Sequence, residues 1–176
     1  MKLDPQFLIN LVVAVVVSIS VYTDLKQRKI YNWVVIPGAI AGVALHSIAG
    51  GTAEFLFSLK GLGLGFGLLL IPFIFGGFGA GDVKLLGAIG ALKGSVFVFK
   101  VFLAAGLAGG VMAVLVLVKQ KRLLLTFKRI WFSICVLFGS IFKVNTLKSL
   151  DKADYHESLP YGLAIGIGTL IAYLVG

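Results

Sequence analysis

The sequence predicts an all-α fold: a polytopic membrane bundle of about six transmembrane helices plus one interfacial or re-entrant apolar segment. Three observations predict it. Of the 176 residues, 59% are hydrophobic and only 13% are charged, about half the ~25% typical of soluble domains, and the mean hydropathy is +1.05. A soluble fold of this size cannot hide that much apolar surface, so the bilayer is the solvent. The basic residues gather in short loops between apolar runs, which is how membrane topology is written. The 23 glycines include pairs four apart, Gly61/Gly65, Gly106/Gly110 and Gly162/Gly166, a spacing that lets membrane helices approach closely. The length allows one membrane-embedded domain, 1–176, with no room for a separate soluble module.

Taken in order, Phe7 to Tyr22 is apolar apart from Asn10, Ser18 and Ser20. It has no basic n-region and no A-x-A site, so it reads as a retained helix rather than a signal peptide. Trp33 to Ala49 and Phe55 to Phe75 are the second and third spans. Beyond the break at Gly76–Asp82, Val83 to about Leu92 is a short fourth, ending at Lys93-Gly94. Ser95 to Val118 is the fifth and Leu159 to Val175 the last. Several fall near or below the ~20 residues a crossing needs, which suggests a locally thinned or water-indented protein around the fourth. Residues 130–142 are apolar but short, with basic residues on both flanks, so the segment lies at the interface or dips in and out on one side. The alternative is a seventh span.

The net charge of +9 would suggest nucleic acid in a soluble chain. Here it reports orientation, and no nucleic-acid partner is expected. Placing the loops at 24–32, 76–82 and 119–158 in the cytoplasm gathers on or near that side all the Lys and Arg except Lys2, Lys60, Lys93 and Lys100, with both termini outside. Cys135 is the only cysteine, which excludes an internal disulfide and a cysteine-rich zinc site. His46 and His156 have no ligand-like spacing. No metal or cofactor is expected.

Seven acidic residues remain as candidates for chemistry. Asp4 and Glu54 sit near external helix ends, Asp151 and Asp154 in a polar loop, and Glu157 beside the last helix. Asp24 and Asp82 differ, because both fall at the cytoplasmic edge of the membrane. A carboxylate at such depth usually faces a partner, a pore or a reaction. Each also has an ordinary reading: Asp24 as an interfacial stop beside Lys26, Arg28 and Lys29, and Asp82 as a helix N-cap. Gly79 and Gly81 strip side chains from the approach to Asp82 and leave room for another backbone. Two carboxyls a few ångströms apart share a proton. The ionised one can take a proton from water while the protonated one polarises a substrate carbonyl, which is peptide hydrolysis without metal or cofactor. Lys26 and Lys84 each stand two residues from an aspartate, as interfacial anchors or as groups that bias the pair or bind substrate.

Gly79-Ala80-Gly81-Asp82 resembles the GxGD motif of intramembrane aspartic proteases, and its continuation through Gly90 resembles the type IV prepilin peptidases. The segment from Asp24 to Asn32 is similar to that family's first aspartate segment, with Tyr31 where proline is common. Pro160-Tyr161-Gly162 is similar to the opening of its final helix. The resemblance implies catalysis by Asp24 and Asp82, with Gly79, Gly81, Lys26, Lys84, Asn32, Pro160, Tyr161 and Gly162 supporting the site or binding substrate. It implies a multi-pass protein of the cell (inner) membrane that removes the basic leader of a prepilin on the cytoplasmic side, just before the substrate's apolar helix. Larger members carry an N-terminal insertion with paired cysteines and methylate the new N-terminus. This sequence lacks that region and those cysteines, so methyltransferase activity is not expected, and its layout looks most like the compact members of tight-adherence (Flp-type) pilus systems. A preflagellin peptidase is a close relative. Outside the class, a small ion- or proton-coupled transporter would use the same two acids, though nearer the midplane and with polar stripes along several helices. An inactive assembly scaffold is disfavoured by both aspartates being present.

Overall fold

The computed structural model describes residues 4–119 and 160–175. The secondary structure among them is helical throughout: α1 (Pro5–Gln27), α2 (Asn32–Ile74), α3 (Ala80–Lys119) and α4 (Tyr161–Leu174). The all-α expectation holds. The apolar segment at 130–142, together with Asp151, Asp154 and Glu157, lies outside the described residues. The first three helices are each long and apolar enough to cross a membrane. Residues 4–109 and 160–175 belong to one compact unit, and residues 110–119 are the described start of a second.

α2 and α3 are too long to be single crossings. A continuous helix of 43 residues would run about 64 Å at 1.5 Å per residue, twice the ~30 Å of bilayer hydrocarbon. Glycines break both. In α2, Gly50 and Gly51 leave helical geometry, Gly51 at φ 64°; in α3, Gly94 does so at φ 81°, a conformation that glycine alone adopts freely. The breaks fall where the hydropathy pattern places span ends. The described residues thus form six helical stretches: 5–27, 32–49, 52–74, 80–93, 95–119 and 161–174.

The stretch 80–93 is the centre of the core. Leu85, Ala88, Ile89, Ala91 and Leu92 are all 0% exposed. A helix apolar all round is buried among others or faces lipid, and here protein surrounds it. Stretch 52–74 packs on it backbone to backbone. A Cβ at Gly61 would stand 2.0 Å from the Gly90 carbonyl oxygen, and one at Gly65 2.5 Å from that of Leu86. Ile9, Val13 and Val16 of α1 and Ile165 of α4 complete the core. Of the three glycine pairs, Gly61/Gly65 and Gly162/Gly166 make close contacts. Gly106 and Gly110 do not: a Cβ at either meets no described atom within 4 Å, so their spacing carries no packing among the described residues.

The break at Gly94 releases carbonyls in the turn before it, and side chains take them up as buried polar groups require. Ser58 Oγ donates to the Ala91 carbonyl at 2.7 Å, and His46 Nε2 lies 3.0 Å from that of Leu92. His46 Nδ1 is 2.8 Å from Glu54 Oε2. At the same end, Lys93 Nζ and the Tyr173 hydroxyl both donate to Asn10 Oδ1 at 3.0 Å. Lys93 also lies 5.2 and 5.0 Å from the Phe97 and Tyr173 ring centroids. Glu54, which the sequence offers only as an external helix-end acid, is the partner of a buried histidine.

Candidate active site

The opposite end of the same unit is built differently. The expected first span ends at Tyr22, but α1 continues to Gln27, because Leu25, Lys26 and Gln27 are good helix formers. Asp24 is therefore inside the last turn, 7% exposed. Arg28 ends the helix in the left-handed region, φ 52°, and its N–H donates to the Asp24 carbonyl at 2.8 Å, the usual αL C-cap with an arginine where glycine is common. Tyr31 then starts α2 in extended geometry, and its hydroxyl donates to Gln27 Oε1. This ring-to-helix bond closes the loop between α1 and α2.

Asp82 lies in the first turn of α3, 8% exposed. The Gly79 carbonyl accepts the N–H groups of Asp82 and Val83, which makes Gly79 the N-cap. Asp82 is thus the third helical residue rather than the cap itself. Its Oδ2 reaches back to accept the Gly79 N–H at 3.0 Å, the half of a capping box supplied by the acidic residue. The room that Gly81 leaves is taken by the other aspartate's loop: a Cβ there would stand 2.8 Å from Ile30 Cβ.

α4 brings the third piece. The Gly162 N–H donates to Asp24 Oδ2 at 2.7 Å, one of the unpaired donors at a helix start, where the dipole also favours an anion. A Cβ at Gly162 would lie 2.8 Å from that oxygen and 3.0 Å from Asp24 Cβ and Cγ, so only glycine leaves the carboxylate where it is. Pro160 stands just before the helix as its N-cap. Tyr161 packs edge-on against Phe78, ring centroids 4.2 Å apart, and lies within electrostatic reach of Asp82.

Asp24 and Asp82 together line one cavity of about 290 Å³, with Arg28, Lys29, Ile30, Tyr31 and the glycine loop before Asp82. Their carboxyls interact electrostatically, and the Arg28 charge acts on Asp24. At about 30 Å³ per water, the cavity has room for several. Of the other sequence candidates, Gly79 and Gly81 line the cavity, and Gly162 and Tyr161 contact its carboxylates. Lys84 Nζ instead donates to Asn32 Oδ1 at 3.0 Å, a bond that ties α3 to the start of α2 beside the cavity. Lys26 turns toward Tyr22, 3.4 Å from its hydroxyl. Sequence reasoning singled out Lys26 and passed over Arg28, which follows the end of α1 in the left-handed region and lines the cavity. Among the described residues, no three His, Cys, Asp or Glu side chains gather as a metal would require.

Fold and site define a membrane-embedded helix bundle with paired carboxylates around a small cavity at one edge. Over residues 11–114 the chain matches the type IV leader peptidase family, and it belongs to that family, a family of peptidases. The matched segment contains both Asp24 and Asp82 and ends before α4. No curated protein and no solved structure matches the chain.

Proposed function

We propose that the protein is an aspartic endopeptidase that cleaves the leader from type IV or Flp-like prepilins, with Asp24 and Asp82 as its catalytic pair. The observation that carries this reading is the single cavity lined by both carboxylates, in a chain of a leader peptidase family. One carboxylate removes a proton from a water in the cavity as that water attacks the scissile carbonyl. The protonated partner donates a hydrogen bond to the carbonyl oxygen as charge develops on it. Collapse of the tetrahedral intermediate breaks the C–N bond, and the proton gained by the first carboxylate passes to the leaving amine. The two groups titrate as a pair. Backbone N–H groups anchor both, so the pair is held in place before substrate arrives.

The reading includes a topology: one peptidase domain over 1–176, six crossings of the cell (inner) membrane, and the cavity on the cytoplasmic face. The breaks at Gly50–Gly51 and Gly94 and the basic loops beside the cavity support it. Labelling of cysteines placed at Lys2 and Gln120 tests the orientation, and both reacting from one side contradicts it.

The test of activity is incubation of the purified protein in liposomes with a prepilin, with sequencing of the product's new N-terminus. A single cut just before the apolar helix is expected. No cleavage of any prepilin, together with proton or cation flux across the liposomes, would favour the transporter instead.

A further inference from the structure

Besides the carboxylate cavity, the surface carries two apolar grooves that lead toward the same end of the bundle. The larger, about 690 Å³, runs between α1 and α4, with Ala14, Ser18 and Tyr22 on one wall and Leu163, Ile167 and Leu170 on the other. Along α1 it extends from Asn10 to Leu25, about 23 Å at 1.5 Å per residue, most of the ~30 Å of hydrocarbon. Its far end meets the polar Asn10–Tyr173 contact. Its near end opens beside the reactive groups, since Tyr22 and Leu25 flank Asp24 in α1 and Leu163 follows the Gly162 that holds the Asp24 carboxylate. The second groove, about 540 Å³, follows α2 from Val35 to Ala44, about 14 Å by the same rise, and ends at Lys84.

Peptide that reaches a membrane-edge carboxylate from within the bilayer must satisfy its backbone hydrogen bonds internally, so it is helical there. The α1–α4 groove has the length for such a helix and reaches Tyr22 and Leu25, the residues on either side of Asp24 in α1. Ala14 and Ser18, both exposed and one turn apart, let a second helix come close, as small residues do in membranes.

We propose that the α1–α4 groove holds the apolar membrane helix of the substrate, continuous with the segment to be cut, and so sets which bond meets Asp24 and Asp82. The proposal rests on the protease reading for what is cut, but binding in the groove is measurable without cleavage. A photo-crosslinking amino acid is placed at Ser18, and in a second protein at Ile40 of the other groove, and each is illuminated in membranes with a labelled prepilin. The expected result is an adduct at Ser18 at least about tenfold more abundant than at Ile40, a ratio worth about 1.4 kcal/mol of binding preference. The adduct is lost when the prepilin's apolar helix is deleted. Equal adducts at the two positions, or only lipid adducts at Ser18, would overturn the groove. Ser18→Trp supplies the kinetic arm: KM for the full prepilin rises about tenfold with kcat unchanged, as for loss of uniform binding, while a short peptide spanning the cut is unaffected. An equal effect on the short peptide contradicts the proposal. Capture at Ser18 by a protein that cleaves nothing upholds the groove and removes the protease reading; cleavage with capture only at Ile40 does the reverse.

Discussion

The two ends of the bundle use their polar side chains in opposite ways. At one end His46, Glu54, Lys93, Asn10 and Tyr173 bond to one another and to a released carbonyl; their polarity is spent on closing the structure. At the other end Asp24 and Asp82 are each fixed by a backbone N–H and line an open cavity. Anchoring by backbone leaves a carboxylate held in position and still able to react, whereas side-chain pairing consumes it. The contrast separates the pair proposed for catalysis from Glu54, and burial separates it from Asp4, whose carboxyl also accepts a backbone N–H but is exposed.

The largest effect short of removing a carboxylate is expected from Gly162→Ala. Its methyl occupies the space of the Asp24 carboxyl, and a misplacement of about 1 Å costs about 10²-fold in rate. Cleavage should fall by that order while the circular dichroism spectrum and melting temperature stay near wild type. A rate within twofold of wild type would show that α4 does not position Asp24.

At the opposite end, Glu54→Ala removes the partner of buried His46. Glu54 is 45% exposed and water can replace much of the bond, so the loss is at the low end for an unpaired buried group, about 1 kcal/mol. That corresponds to a fall of about 2–4 °C in Tm for a chain of this size, with kcat unchanged. A loss of kcat without a change in Tm would erase the distinction between the two ends.

The smallest effect discriminates between two neighbouring cations. Arg28 acts on Asp24 from the cavity wall, and Lys26 faces Tyr22. Arg28→Ala should slow cleavage by up to about fivefold, the scale of an exposed charge pair, and Lys26→Ala should leave it unchanged. The reverse order in cleavage assays would contradict the end described for α1.

Much of this was legible in the sequence. Apolar runs ending at Gly50 and Gly94 marked the breaks that divide α2 and α3, and the glycines before Asp82 announced a close approach, which Ile30 makes. The enclosure of stretch 80–93 was not legible, because a lipid-facing helix and a helix buried among others are equally apolar and hydropathy does not separate them. Nor was the hold of Gly162 on Asp24, a contact between a backbone N–H and a residue far away in the chain. Nor was Arg28 ranked above Lys26, since proximity in sequence was read in place of the left-handed turn that ends α1. The same reading missed Glu54, whose partner lies across the Gly50–Gly51 break.

The central claim is that Asp24 and Asp82 act as one unit, and a kinetic cycle tests it most directly. Cleavage of a prepilin is measured for Asp24→Asn, Asp82→Asn and the double variant, each verified as folded in the membrane. Either single substitution should cost about 10²–10⁴-fold, the scale of general acid–base catalysis, and the double variant should lose little more than the worse single, as groups that work together do. Single variants that keep a tenth or more of wild-type activity, or losses that multiply in the double variant, would contradict the paired mechanism.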